Sequence, residues 1–260
     1  MAIKIGFTER GDAGVDQSWY EKCKAGACDG LVAITKRLTP GCREKLMDLH
    51  TSGFPVILHC GCTGWGGTKL EPNAFDPMRQ LNALQGLLNS GFPAKNVVLR
   101  IDPIIPTVEG LSRVRWEVMP AALGMGILPE CRVRISIIDM YPHVRERFAA
   151  AGKQPPYGEL FSPSVAQLRL VREKLKFFGR NYGIRFETCA ETALCALDPD
   201  LFVEQGCISE TDLSIMGLQY DGKSINPQRR SGCRCLGCKT ELLEHRQRCP
   251  VGCLYCYWHG

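Results

Sequence analysis

The chain has 260 residues, 45% of them hydrophobic, and a formal net charge of +5. That suffices for one large domain with its own core, and a mild charge without a long basic run gives no nucleic-acid footprint. No apolar run of about 18 residues and no signal-peptide pattern follows Met1, which disfavours membrane spanning and secretion. The fifteen cysteines then point to metal or redox chemistry in a reducing cytoplasm, not to a disulfide scaffold.

Residues 3–7 read as a short buried strand, followed by polar Thr8-Glu-Arg-Gly-Asp12 and a helical stretch over 15–24. A second strand, 29–35, leads to a helix over 42–52 with Leu46, Met47 and Leu49 on one face, stopped by Gly53. The third strand, 55–60, runs into the glycine-rich loop 61–67, where Trp65 anchors the loop or stacks as a lid; a helix over 78–89 carries Leu81, Leu84, Leu87 and Leu88. Pro103 and Pro106 close a fourth strand, 96–102, and residues 111–123 form a helix kinked or broken at Pro120. The fifth strand spans 132–139 and is followed by a helix over 144–151. Ser162-Pro163 reads as the N-cap and first-turn proline of a helix that turns Val165, Leu168, Val171, Leu175 and Phe178 inward. After a sixth strand, 183–189, Asp198-Pro199 opens another helix and Ser209 a further one; residues 239–248 read as a last strand delivering a cysteine loop.

Alternation at intervals of about 30 residues predicts an α/β fold with a parallel sheet, most simply a (β/α) barrel or partial TIM barrel. Its body is expected over 1–230, with the cysteine-rich segment 231–260 completing it. Active sites of such barrels lie at the strand C-terminal ends. That rule gathers on one rim Thr8, Glu9, Arg10 and Asp12; His59, Cys60 and Cys62; Arg100 and Asp102; Asp139 and Tyr141; and Cys189 and Glu191.

The terminal loop is Cys249-Pro-Val-Gly-Cys253-Leu-Tyr-Cys256. Three thiolates hold three corners of a [4Fe–4S] cluster and leave one iron open to a small molecule, as in open catalytic metal sites. The spacing, with an aromatic before the third cysteine, resembles the signature of the radical S-adenosylmethionine (radical SAM) enzymes, whose open iron is chelated by the amino and carboxylate groups of SAM. In that superfamily the cluster loop follows the first barrel strand. Here it comes last, so the resemblance implies a circularly permuted core with the last strand beside residues 3–7. Thr8, Glu9 and Arg10 would then stand where the superfamily's Gly-Gly-Glu segment holds the methionyl end of SAM. Arg100 and Asp139 are further cofactor-binding candidates, Asp102 and Glu191 candidate catalytic groups, with a structural ion-pair network as the competing reading. Tyr255 and Tyr257 flank the last ligand and would shield the cluster from water.

The other cysteines divide. Cys233-x-Cys235-x2-Cys238, with Cys189 or Cys207, is rich enough for a second site. It would take an auxiliary Fe–S cluster or, with Cys253-x2-Cys256, a zinc ribbon that leaves Cys249 unexplained. Cys60 and Cys62 share one side of their strand. Facing the mouth beside His59, they would act catalytically by binding a thiophilic substrate or donating hydrogen to a radical; facing the core, they are small hydrophobes. Cys23, Cys28, Cys42, Cys131 and Cys195 read as packing residues.

Arg100-Ile-Asp-Pro-Ile104, Ser136-Ile-Ile-Asp-Met-Tyr141, Cys189-Ala-Glu191, Gly206-Cys207-Ile208, Gln228-Arg229 with Cys233-x-Cys235, and the terminal motif recur in that order in an uncharacterised family. Over most of its length the chain is similar to that family, which is described as carrying a radical-SAM-like cysteine cluster at its C-terminus. It departs in having Thr8-Glu-Arg-Gly-Asp12 for Ser-Arg-Arg-Thr-Asp, and in having His59-Cys-Gly-Cys62. The resemblance implies an enzyme that cleaves SAM reductively. The usual product is a 5′-deoxyadenosyl radical; cleavage of a different bond gives a 3-amino-3-carboxypropyl group, and Cys60 and Cys62 at the mouth suggest its transfer to a thiophilic acceptor such as trivalent arsenic. Its expected partners are a small-molecule substrate and an electron donor such as ferredoxin or flavodoxin. A zinc-ribbon binding protein and an Fe–S electron carrier are the competing classes.

Overall fold

The computed structural model describes residues 2–223, 232–243 and 249–258, and its framework is an all-parallel sheet. The strands are β1 (Ile5–Phe7), β2 (Gly30–Thr35), β3 (Val56–Gly61), β4 (Val97–Ile104), β5 (Arg132–Ile137), β6 (Phe186–Thr188), β7 (Phe202–Glu204) and β8 (Lys239–Glu241). Their spatial order is β7-β6-β5-β4-β3-β2-β1-β8. β8 therefore returns from the far end of the chain to lie beside β1, with Ile5 opposite Lys239 and Phe7 opposite Glu241. The expected α/β architecture with a parallel sheet is present, but β7 and β8 are its two edges and the sheet is not closed.

Side chains alternate across each strand, and the two faces meet different partners. Leu31, Ala33, Leu58, Cys60, Leu99, Ile101, Val133 and Ile135 face the helices. That layer contains α1 (Trp19–Lys24), α2 (Pro40–Thr51), α3 (Pro77–Asn89), α4 (Val108–Ser112), α5 (Met119–Gly124), α6 (Pro142–Ala150), α7 (Val165–Tyr182) and α8 (Thr192–Leu197). Ile5, Phe7, Val32, Ile57 and Val98 face the hollow of the sheet, packing on Ile208, Leu213 and Met216 around α9 (Glu210–Ile215). Side-chain caps fix the helix starts: Thr39 accepts from Cys42 N, Asp76 from Arg79 N, and Ser209 forms a capping box with Asp212. None of the described helices is long and apolar enough to cross a membrane.

A buried ion network ties α9 into the hollow. Arg134 of β5, 1% exposed, donates to Glu187 of β6 at 2.6 and 2.9 Å and to Asp212 at 3.3 Å. It also donates to the Cys207 carbonyl at 3.1 Å and meets His59 Nε2 at 3.2 Å. Arg132 adds contacts to Asp212 at 2.8 Å and Glu187 at 3.3 Å.

Three elements differ from expectation. The segment around Pro120 is not broken: α4 passes through a π turn, Arg113–Val118, into α5. The wider turn accommodates a proline that has no N–H and would crowd the preceding turn. The helix after β5's loops is capped by Ser164 with Gln167, not by Ser162, so Val165 sits in its first turn and is exposed. Asp198-Pro199 ends α8 and leads into β7, where Phe202 stacks across the strands on Phe186 at 6.0 Å. A three-residue strand is too short for alternation to announce it. Residues 244–248 of the expected last strand, and Gln228 and Arg229, lie outside the described residues.

Candidate functional site

A cavity of about 490 Å³ opens over the C-terminal ends of the strands, and all three terminal cysteines line it. Gly252, at φ +72°, permits the turn between the first two, and its N–H donates to the Cys249 carbonyl at 3.1 Å. The loop is fastened to the segment after β3: Leu254 N donates to Leu70 O at 3.0 Å, Asn73 N to Val251 O at 3.3 Å, and Asn73 Nδ2 to Pro250 O at 2.8 Å. Arg147 of α6 donates to the Cys256 carbonyl. Burial pushes the Cys249 thiol up to about 11 and raises Cys253 further, so a metal must displace their protons to bind.

Lys36, one residue past β2, is the floor of this loop. Its Nζ donates to Tyr255 Oη at 2.8 Å, Glu71 Oε1 at 2.9 Å and the Asp102 carbonyl at 3.0 Å. Thr63 donates to the same Glu71 oxygen at 2.6 Å. Burial works to lower the Lys36 pKa, but Glu71 and Cys253 hold it above the ordinary value, so the ammonium stays charged. Tyr255 is buried; Tyr257 is half exposed and donates to Glu9 Oε1 at 2.9 Å.

Opposite lies a second thiol group. Cys189 follows β6 and Cys207 follows β7, with their sulfurs 3.4 Å apart; the sulfurs of Cys189, Cys207 and Cys235 all lie within 4.8 Å of one another. Cys233 is adjacent, its Sγ accepting from Cys235 N at 3.5 Å. Gly206, at φ +73°, lets the 233–235 segment approach: a Cβ there would stand 2.7 Å from Cys235 N. Cys238 was expected in this group, but it does not line the cavity and its carbonyl accepts from Ile5 N at 2.8 Å, at the start of the β1–β8 pairing.

The remaining rim residues sort by strand face. Arg100 and Asp102 point inward together, Nε to Oδ2 at 2.6 Å, with Ser136 donating to the other carboxylate oxygen. Arg100 Nη2 also reaches Cys207 Sγ at 3.7 Å. Burial would raise the Asp102 pKa, but Arg100, Ser136 and Lys36 bring it below the usual value. Glu9 shows the same opposition, its carboxyl lowered by Lys239, which donates to Oε2 at 2.5 Å. Arg10 stacks its guanidinium on Trp258 at 4.1 Å. Asp139 and Tyr141 line the cavity. Asp12 lines it too, but its carboxylate is engaged by Thr35 Oγ1 at 2.7 Å, Lys36 N at 2.7 Å and Gly14 N at 2.9 Å.

Five expected rim positions are elsewhere. Thr8 is buried, exchanging hydrogen bonds with the Ile34 N–H and carbonyl. Glu191 accepts from Ile137 N at 2.7 Å, off the cavity. Cys60 and Cys62 do share a side, but it is the helix side: both pack in the outer core and Gln80 Nε2 donates to Cys60 Sγ at 3.3 Å. His59, their neighbour by one residue, necessarily faces the other way, below the cavity on Arg134. Trp65 is buried as a loop anchor, 4% exposed.

Lys36, Glu71, Lys239 and Glu241 were missed. Lys36 follows the one early strand that contributed nothing to the expected rim, and Lys239 and Glu241 belong to a strand that was itself anticipated. Glu241 Oε2 accepts from Arg10 N at 2.9 Å and Glu9 N at 3.1 Å, joining the β1 loop to β8. Burial pushes its carboxyl up to about 7 from 4.5. A raised folded pKa gives stability that is full below the unfolded value and is lost as pH rises through the folded one. The urea midpoint should thus fall as pH rises from 4.5 to about 7, and Glu241→Gln should flatten that segment; an unaltered profile would remove Glu241 as its source.

The family model described as "Domain of unknown function (DUF1848)" matches residues 11–258. No curated protein matches the chain.

Proposed function

We propose that this chain, which belongs to the DUF1848 family, is a radical SAM enzyme with a permuted (β/α) barrel core and a [4Fe–4S] cluster on Cys249, Cys253 and Cys256. The observation that carries the reading is that three loop thiols line one cavity at the C-terminal edge of a parallel sheet, where β8 lies beside β1. The donor set fits a cubane with one open iron. Lys36, held charged close to Cys253, offsets the negative charge of thiolate ligands. When bound, the cluster would supply the electron that breaks a carbon–sulfur bond of SAM and releases a carbon radical.

The chain's own residues supply binding and exclusion. Arg10 offers a cation for a carboxylate, while Asp139 and the Arg100–Asp102 pair offer acceptors and donors for an ammonium group and ribose hydroxyls. Tyr255 and Trp258 close the cavity wall with aromatic surface. Asp102 stays a candidate proton-transfer group, but Glu191 does not, being off the cavity. A thiophilic acceptor finds no support in Cys60 and Cys62, which face the helices. The substrate is a small molecule, with a ferredoxin or flavodoxin as reductant. A zinc ribbon is disfavoured because Cys235 stands with Cys189 and Cys207, apart from Cys253.

The test is anaerobic purification with iron and sulfide analysis and electron paramagnetic resonance of the reduced protein. The expected result is a cluster signal that changes when SAM is added and is absent in Cys253→Ser. A signal indifferent to SAM would mark an electron carrier, and a wild-type protein without iron would end the radical reading.

A further inference from the structure

We propose that Cys189, Cys207, Cys233 and Cys235 bind a single zinc ion in a closed tetrathiolate site, distinct from the terminal loop. Compactness is the reason. With Zn–S bonds of about 2.3 Å, the thiolates of a tetrahedral site stand about 3.8 Å from one another. Here two sulfurs are 3.4 Å apart and three lie within 4.8 Å of one another, while Cys233, outside that trio, accepts from Cys235 N at 3.5 Å and also lines the cavity. A cubane spreads its thiolates over different irons and so over longer separations. The trio matches one ion, and Cys233 is the neighbouring thiol that would close on it as the fourth ligand.

The surroundings are those of a metal thiolate. Cys207 N donates to Cys235 Sγ at 3.0 Å and Cys235 N to Cys233 Sγ at 3.5 Å, the N–H to sulfur bonds that orient such ligands. Arg100 Nη2 lies 3.7 Å from Cys207 Sγ, and Arg134 holds the Cys207 carbonyl. These cations offset a site whose four thiolates outweigh the ion's charge. Four protein ligands leave no open position, which makes the role structural. The ligands come from the ends of β6 and β7 and from the segment entering β8, so the ion joins the two sheet edges that share no hydrogen bonds. All four cysteines line the cavity, and the ion thereby fixes one wall.

The test counts metals in the full chain, purified anaerobically from zinc-supplemented cells. Wild-type protein is expected to hold one zinc per chain. A Cys249→Ser/Cys253→Ser/Cys256→Ser variant should keep it, whatever becomes of iron; a Cys207→Ser/Cys235→Ser variant should lose it. Should the latter fail to fold, wild-type protein exchanged with cobalt(II) should show the visible bands and sulfur-to-metal charge transfer of tetrahedral thiolate coordination. Iron and sulfide retained by the terminal-loop variant would overturn the assignment in favour of an auxiliary cluster. Zinc-free wild-type protein with a Cys189–Cys207 disulfide by mass spectrometry would overturn it as well.

Discussion

Arg134→Met is expected to destabilise the chain by about 3–5 kcal/mol, the scale for removing one partner of a buried ion pair. The guanidinium is the hub of its network, joining Glu187, Asp212, His59 and the Cys207 carbonyl. Without it, Glu187 and Asp212, both buried, keep among the described residues only Arg132 as a cationic partner, and α9 loses one of its two arginine ties to β5. Burial and the neighbouring arginines hold His59 well below its ordinary pKa, so the ring is neutral and cannot replace the lost charge. The measurement is urea denaturation of the single variant beside Arg134→Met/Glu187→Leu. Removing both partners should recover part of the loss, since an apolar pair strands no charge at that position. A loss below about 1 kcal/mol would show that Arg132 alone satisfies both carboxylates.

The second large effect falls on the terminal loop. Lys36→Met should cost about 3 kcal/mol by leaving Glu71, 2% exposed, without its ion-pair partner. Tyr255→Phe removes only the hydroxyl that Lys36 donates to and should cost about 1 kcal/mol. Under the proposed function the two variants also differ in iron. Lys36→Met loosens both the floor of the loop and the charge balance at Cys253, so it should retain well under half the wild-type iron per chain, while Tyr255→Phe stays near wild type. Equal iron in all three would mean that the loop is held by its backbone bonds to Leu70 and Asn73 and that the lysine serves the fold alone.

Much of the sheet was legible because its strands are buried on both faces and read as apolar runs bounded by glycine, proline and asparagine. The placement of a last strand beside residues 3–7 followed from the position of the cysteine loop, and β8 pairs there. What stayed hidden is what alternation cannot phase. Counting along 55–62 puts His59 opposite in sense to Cys60 and Cys62, yet only the packing tells which side is the hollow; the thiols went outward and the imidazole inward. Arg134, Glu187 and Asp212 sit in segments with no charge pattern linking them, and their network exists only because α9 fills the hollow. The second thiol group depended on the same event, since the chain after β7 brings Cys207 to Cys189.

The pairing of β1 with β8 joins residues more than two hundred positions apart, and this constrains when the cavity can first exist. During synthesis the strands from β1 to β7 leave the ribosome first, in a chain made at about 5–20 residues per second. β1 waits through all of that with one edge unpaired, and the loop bearing Cys249, Cys253 and Cys256 emerges after all seven. Until β8 is made, the edge of β1 that it will cover has no strand to pair with and is a surface that chaperones would have to guard, and the cavity wall formed by residues 233–258 does not exist.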